Sequence, residues 1–426
     1  MISFEAGQEY KTMSLGLDRI KTFLSDLKIK YEKLNYVHIA GTNGKGSTAK
    51  ILADVLTKSG YKTGLYTSPH LVKTNERIQI NSLCISDKDL ALLDKKYNAV
   101  SKKYKLTYFE YITAIAFIYF VKNKPDIVVM ETGLGGRFDA TNIITPLVSI
   151  ITSVGLDHTE VLGKTLNEIA FEKSGIIKRD IPVICGNIDK KALKEIYKTS
   201  KINNSKLFCF GKEFSAKSLK YDWKNFTQKI EYNGIKENLK FDLSLLGQSQ
   251  VYNCAVVLCT CELLKNKFNK INFKFINKEL KNVKWQARFD IKKLMLNGKK
   301  CSFVIDGAHN MQAIDNFSDL YKTSPFYNKK NKLCFAVMQE KNYKRVIKKL
   351  SDTFKTVNLI KLDNSRAVDT EVLKKEFLKY IDEKKIFVYD DISKMFDCVK
   401  NNDIFVCLGS FFLAGNILKY IEETNG

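Results

Sequence analysis

Tyr36-Val37-His38-Ile39-Ala40-Gly41-Thr42-Asn43-Gly44-Lys45-Gly46-Ser47-Thr48 is the stretch on which the reading of this chain turns. An apolar run, a glycine-rich turn and a helical pattern from about Ser47 to Ser59, closed by Gly60, predict strand, loop and helix in succession. In such a loop, glycines let backbone N–H groups turn toward an anion. A lysine there supplies a cation to β- and γ-phosphate oxygens, and a hydroxyl at the helix start can reach magnesium. Gly41, Thr42, Asn43, Gly44, Lys45, Gly46 and Ser47 are therefore the expected ATP-phosphate residues. Gly46 separates Lys45 from Ser47, which departs from the spacing of ordinary P-loop NTPases. A tight turn with no ligand is the alternative, but it does not call for a lysine and a hydroxyl together at the helix start.

Working outward, apolar strand-like runs alternate with helical ones. Thr63–Tyr66 precedes Thr67-Ser68-Pro69-His70, Ile127–Met130 precedes Glu131-Thr132-Gly133, and Val148–Val154 precedes Gly155-Leu156-Asp157-His158. That alternation predicts a mainly parallel sheet, and a parallel sheet carries ligands beyond the carboxyl ends of its strands, so these polar segments should share one edge. Between about Asn187 and Leu246 the pattern loosens, and Asn233-Gly234 suggests antiparallel strands or hairpins. After Trp285–Asp290 the alternation restarts with strands at Ser302–Ile305, Leu333–Val337, Val357–Ile360, Ile386–Tyr389 and Ile404–Leu408. The expected fold class is α/β: an N-terminal P-loop-type doubly wound domain over residues 1–290 and a smaller C-terminal Rossmann-like domain over residues 298–426.

Composition narrows the function classes. With 426 residues, two domains are the natural division, and 45% hydrophobic residues can fill two cores. The longest apolar stretch, around Ile112 to Val121, is interrupted by Thr113 and Tyr119 and is too short for a membrane span. Met1-Ile2-Ser3-Phe4-Glu5 lacks the basic start and apolar run of a signal peptide, so a cytoplasmic, membrane-free protein is expected. Ten scattered cysteines with no CxxC pair read as free thiols in a reducing compartment. The net charge of +24 is spread over every predicted helix and loop, without a nucleic-acid motif; it favours anionic small substrates rather than nucleic acid. A monomer is the default expectation.

Val37–Thr48 resembles the nucleotide loop of the Mur ligase superfamily, and further segments narrow the likeness. Leu65–Leu71 with Asn75-Glu76-Arg77-Ile78, Glu131–Asn142, Gly155–Thr159, Glu172–Lys178, Asp306-Gly307-Ala308-His309-Asn310 and Gly409-Ser410-Phe411-Phe412 resemble folylpolyglutamate synthase / dihydrofolate synthase, in that family's order. The resemblance spans most of the chain; roughly residues 187–245 and the C-terminal helices carry no distinctive motif. It implies an ATP-binding Mur-ligase-like domain followed by a glutamate-ligase domain. It also implies that L-glutamate is ligated to a pterin or folate carboxylate through an acyl phosphate, with ATP giving ADP and phosphate. Phosphorylation supplies the leaving group that a carboxylate lacks; the protein positions the groups and neutralises charge.

The same resemblance implies roles for individual residues. Ser68, Glu131 and His158 match metal ligands for two Mg2+ ions; oxygen donors suit magnesium, whereas His158 is supported by the motif alone. A solvated carboxylate at Glu131 and a structural histidine at His158 are the alternatives. Lys173 matches a position carrying a carbamate, which requires a lysine with a lowered pKa, the alternative being an exposed helix lysine. Asn253 matches an adenine-side asparagine and Arg288 an ATP arginine; Tyr252 stands where the family has His, and Gln286-Ala287 where it has Pro-Gly. Asp306 is expected to reach ATP, with His309 assisting, unless Asp306 merely caps a helix. Leu15-Gly16-Leu17, Phe109-Glu110 and Asp139 match the pterin end, where an aromatic ring stacks and a carboxylate accepts N–H bonds, although Phe109 could equally be core. Two other readings stay open: a Mur-type cell-wall peptide ligase and a non-enzymatic nucleotide-binding module.

Overall fold

The run Tyr36–Ala40 forms β1, buried at all five positions, as expected of a parallel strand covered on both faces. It belongs to a computed structural model that describes residues 16–296 and 298–425; Met1–Glu5 and Leu15 lie outside the described residues. The chain divides into two compact units, the first holding residues up to 221 with 227–244 and 249–283, the second residues 222–226, 245–248 and those from 284 onward.

In the first unit an eight-stranded sheet comprises β1, β2 (Thr63–Tyr66), β3 (Ile78–Ile80), β4 (Leu83–Cys84), β5 (Ile127–Glu131), β6 (Val148–Ile151), β7 (Val183–Cys185) and β8 (Leu207–Cys209), in the order β4-β3-β2-β5-β1-β6-β7-β8. Only β3 runs against the other strands, pairing antiparallel with β2 on one side and with the edge strand β4 on the other. The carboxyl ends of β2, β5, β1 and β6 therefore open on one side. Helices α1 (Asp18–Asp26), α2 (Lys45–Lys58), α3 (Asp87–Lys103), α4 (Tyr108–Asn123), α5 (Thr159–Leu162), α6 (Leu166–Ser174), α7 (Lys190–Ile202), α8 (Gln248–Leu264) and α9 (Phe273–Glu279) complete the layers. The long apolar helix α4 is buried nearly all round, and its Ile112, Ile115, Phe117 and Phe120 join Tyr36, Tyr66 and Met130 in one core. Among the described residues no helix is long and apolar enough to cross a membrane. All ten cysteines are free, and only Cys84 and Cys398 are exposed.

The loosely patterned stretch resolves into α7, β8 and a separate antiparallel sheet of β9 (Ser215–Asp222), β10 (Thr227–Asn233) and β11 (Asn238–Leu243). The hairpin expected at Asn233-Gly234 is present with a four-residue loop, since Asn233 pairs with Asn238.

The second unit carries a mixed sheet of β12 (Asp290–Leu296), β13 (Lys299–Ile305), β14 (Lys332–Phe335), β15 (Thr356–Ile360), β16 (Ile386–Tyr389) and β17 (Asp403–Leu408), in the order β12-β13-β17-β14-β15-β16. Its helices are α10 (Met311–Thr323), α11 (Tyr343–Thr353), α12 (Thr370–Phe377), α13 (Ile392–Asp397) and α14 (Phe411–Asn425). Five of the six strands follow the sequence pattern. The sixth, β12, pairs antiparallel with β13 at the edge; with Lys292 and Lys293 in its middle and one side covered, it has no continuous apolar run to betray it.

Candidate active site

The strand order reverses at β1, which stands between β5 and β6, so the loop leaving β1 opens at the switch point of the sheet. That loop is stitched to the end of β6. Thr42 N–H donates to Ser153 O at 2.9 Å and Asn43 N–H to Ser153 Oγ at 2.9 Å. The hydroxyls of Thr152 and Ser153 donate to Asn43 O at 2.7 and 2.9 Å. Thr42 Oγ1 donates to Gly155 O at 3.1 Å and accepts Gly155 N–H at 3.0 Å. This is why β6 stops at Ile151 rather than continuing to Val154: Thr152 N–H makes the last bond to β1, at Ala40 O, its partner then turns off at Gly41, and Ser153 and Gly155 bond the loop instead of a strand.

Two glycines are demanded by close approach. A Cβ at Gly41 would lie 1.9 Å from Thr152 Oγ1, and one at Gly44, whose φ is +88°, would lie 2.3 Å from Asn253 Oδ1. Asn253 thus stands directly against the loop, held by its Nδ2 donating to Gln250 Oε1 at 3.0 Å. Helix α2 begins at Lys45, two residues earlier than its pattern suggests, with Gly44 as N-cap. The Lys45 ammonium donates back to Gly41 O at 3.0 Å, and Gly46 and Ser47 are buried in the first turn.

At the neighbouring strand ends, Glu131 is the last residue of β5 and only 3% exposed, which overturns the solvated-carboxylate alternative. Its Oε2 accepts Ser68 N–H at 3.1 Å, so these two expected metal ligands meet. His158 caps α5 in a left-handed conformation (φ +49°), with its N–H on Asp157 Oδ1 at 2.9 Å and its Nε2 3.9 Å from the same oxygen. Among the described residues no three His, Cys, Asp or Glu side chains gather into a cage. Magnesium needs none: one carboxylate, hydroxyls, waters and phosphate oxygens suffice, and Glu131 with Ser68 and Ser47 fits that donor set.

Lys173, in the last turn of α6, is 2% exposed, so it is not the exposed helix lysine of the alternative reading. Burial, reinforced by the nearby Lys45 charge, lowers its pKa to about 7, against the opposing pull of Asp157, Asp139 and Glu172. An amine with that pKa is about half neutral at pH 7, whereas an ordinary lysine is almost wholly charged.

The segment Gly133–Asn142 packs between α4 and α6. The Phe109 ring occupies the place a Cβ at Gly133 would take, its Cζ 2.3 Å from that position, and lies 6.3 Å from the Tyr66 ring. Glu110 closes a capping box with Thr107 and pairs with Arg19 at 2.9 Å; Arg19 lies just beyond Gly16 and Leu17, which lead into α1. Asp139 Oδ2 accepts Leu134 N–H at 2.8 Å, while its Oδ1 accepts Thr141 N–H at 3.0 Å and the Thr141 hydroxyl at 2.6 Å. Burial holds the Asp139 carboxyl above its ordinary pKa, and these donors offset only part of that rise. Arg137 N–H donates to Glu172 O at 2.8 Å, and a Cβ at Gly136 would lie 2.8 Å from Lys173 O, so the segment abuts the end of α6.

In the second unit, Asp306 Oδ2 accepts Phe289 N–H and Oδ1 accepts Ala308 N–H, both at 2.8 Å. The N-cap of α10 is Asn310, not Asp306. Burial raises the Asp306 pKa, with Arg288 the largest opposing influence. The Arg288 guanidinium lies 4.7 Å from the Phe411 ring centre, against which the His309 ring also packs at 5.6 Å. Ala287, where the family carries glycine, is left-handed at φ +55°, so the departure in sequence leaves a glycine-like backbone in place.

Sequence reasoning missed Arg19, Thr141, Thr152, Ser153 and Asp157. Thr152, Ser153 and Asp157 lie at or just beyond a strand end, the place the carboxyl-edge rule marks, but nothing in their residue types names the loop as their partner; Thr141 was read only within the Glu131–Asn142 segment, and Arg19 left no signal because Glu110 is 91 residues away.

Residues 39–261 match the Mur ligase middle domain, which places the first unit among Mur-type ligase domains. Across 96% of its length the chain is 31% identical to the dihydrofolate synthase/folylpolyglutamate synthase of Bacillus subtilis (strain 168), covering 95% of that protein. Folylpolyglutamate synthase from Thermotoga maritima matches in structure with a TM-score of 0.83 and 30% identity over 97% of this chain and 95% of the other. E. coli FolC in complex with DHPP and ADP matches with a TM-score of 0.84 and 25% identity over 98% and 96%. The chain belongs to the folylpolyglutamate synthase / dihydrofolate synthase family.

Proposed function

We propose that this chain is an ATP-dependent ligase joining the amine of L-glutamate to a folate-type carboxylate, that of dihydropteroate, of a tetrahydrofolate polyglutamate, or of both. Its products beside the amide are ADP and phosphate. The observation that carries the reading is the loop Gly41–Ser47, built against Ser153 and Asn253 with Lys45 at its rim, in a chain that aligns with this family over nearly its whole length.

The acceptor carboxylate oxygen attacks the γ-phosphorus of ATP, forming an acyl phosphate as the bond to the β-phosphate oxygen breaks. The glutamate nitrogen then attacks the acyl carbon, loses a proton, and phosphate departs. The N–H groups of residues 41–47 cradle the phosphates, and the Lys45 ammonium exchanges its carbonyl contact for β- and γ-oxygens. Ser68, Glu131 and His158 would hold magnesium, which when bound offsets phosphate charge; Ser47 adds a hydroxyl at the same edge. Asn253 is proposed for the adenine side, and Arg288, Asp306 and His309 as further ATP residues. Lys173 is the candidate for a carbamate, which its lowered pKa favours. Gly16, Leu17, Phe109, Glu110 and Asp139 form the pterin end. The DHPP and ADP held by E. coli FolC are the ligand chemistry proposed for this chain too.

The test is glutamate incorporation with ATP and magnesium, using dihydropteroate and tetrahydrofolate in parallel. Incorporation that depends on both ATP and an acceptor is expected. Its absence with both acceptors would overturn the reading, and transfer onto a cell-wall precursor instead would favour the Mur-type peptide ligase.

A further inference from the structure

His38 is a fully buried imidazole in the middle of β1, three residues before the phosphate loop, and no role assigned so far uses it. Its Nε2 lies 2.8 Å from Thr141 Oγ1, which lies 2.6 Å from Asp139 Oδ1. The direction of each bond follows from the donors. Asp139 already receives the N–H groups of Leu134 and Thr141, as a carboxylate would, so the single hydroxyl hydrogen of Thr141 goes to Asp139. The Thr141 oxygen must then accept, and His38 must donate from Nε2–H. His38 Nδ1 is left bare, and it has no hydrogen-bond partner.

We propose that His38 is a positioning residue for the acceptor segment Gly133–Asn142, acting through Thr141 and Asp139 to fix that segment relative to the strand that carries the phosphate loop. The segment's other ties run elsewhere: Arg137 N–H and Asn142 Nδ2 bond the end of α6, at Glu172 O and Gly175 O. The His38 tie joins it to β1 itself. Asp139 holds Leu134 N–H, next to the Gly133 on which Phe109 rests, so a shift of Thr141 reaches the aromatic face through two short bonds. Misplacing a reacting group by a fraction of an ångström costs rate without costing nucleotide affinity. The inference rests on the ligase reading for its kinetic consequence, and on geometry alone for the brace.

The test compares His38→Leu, His38→Gln, Thr141→Val, Thr141→Ser and the His38→Leu/Thr141→Val double variant in the incorporation assay. Glutamine can donate from the place of Nε2 and serine keeps the hydroxyl; leucine and valine do neither. His38→Leu and Thr141→Val should each lower kcat/KM for the acceptor about tenfold while KM for ATP stays within about twofold, the loss of one buried hydrogen bond being of that size. The double variant should be no worse than the poorer single one, and the glutamine and serine variants should recover most of the activity. An additive double variant, an equal loss in the ATP parameter, or no rescue would overturn the proposal. Nitrogen NMR of the wild-type imidazoles decides the brace independently of turnover and of whether any variant folds. With four histidines in the chain, the His38 signal is the one missing in His38→Gln. An Nε2–H tautomer is expected and an Nδ1–H tautomer would overturn it. A wild-type protein with that tautomer but no acceptor-dependent turnover would defeat the ligase reading and leave the brace standing.

Discussion

Each unit sets a cation beside a residue with left-handed backbone: Gly44 before Lys45 in the first, Ala287 before Arg288 in the second. The two backbones ask nearly the same thing, yet only one position holds glycine. At Gly44 the reason is a neighbour, since Asn253 Oδ1 would stand 2.3 Å from any Cβ, whereas at Ala287 the methyl group is accommodated inside the fold. A positive φ alone costs an alanine about 1 kcal/mol and can be tolerated; a side chain pressed against the loop cannot be moved aside without moving the loop. The glycine motif is therefore dictated by what touches it as much as by how it bends.

Four experiments break or sharpen that contrast. The largest effect is expected from Lys45→Ala, which should lower ATP-dependent incorporation by about 10²–10³-fold, the usual consequence of losing one positioned charge on a developing oxyanion; kcat in saturating acceptor is the readout. Gly44→Ala should come next, adding about 1–3 kcal/mol of strain and raising KM for ATP several-fold; because Asn253 is itself proposed as an ATP residue, relief of the clash by adding Asn253→Ala is read in stability by denaturant titration, where part of the loss should be recovered if the clash, rather than φ, is the cause.

Lys173 gives the third effect, through pH. Its folded pKa is held near 7 against the ordinary 10.5. Between those values the unfolded chain binds a proton that the folded chain does not, so stability rises with pH across that window and levels off below about 7. In carbon-dioxide-free buffer, wild type should gain on Lys173→Met by at most about 1.4 kcal/mol per pH unit between pH 7 and 10, read by denaturant titration. Because the Lys45 charge helps to depress Lys173, Lys45→Ala should move the onset of that rise to higher pH. The smallest effect belongs to Ala287→Gly. Relief of the left-handed strain and the greater freedom of unfolded glycine oppose one another there, and the melting curve should stay within about 1 kcal/mol of wild type.

The sheet of the first unit could be read because parallel strands are buried on both faces and spell themselves as apolar runs, and the phosphate loop because glycine, lysine and serine are rarely assembled by packing alone. Strand β12 and helix α7 could not: their faces toward solvent carry lysines, and Lys292 and Lys190 look the same in a strand, a helix or a loop. The site was legible where a residue type names its chemistry, as at Glu131 and Ser68. It was illegible where burial does the work. Nothing in Glu172-Lys173-Ser174 announces that the amine is enclosed, and nothing in Thr152-Ser153 says that their hydroxyls leave the strand to hold the loop across more than one hundred residues of chain.

Those two hydroxyls have a consequence for how nucleotide binding should look in a calorimeter. A loop already tied down at Thr42 and Asn43 has little freedom left to lose, so ATP entering it should order few groups and bury little new apolar surface of the loop itself. The nucleotide should then bind the free chain with a small heat-capacity change. Replacing Ser153 by alanine should turn that mould into a segment that must freeze around its ligand, with a larger unfavourable entropy of binding.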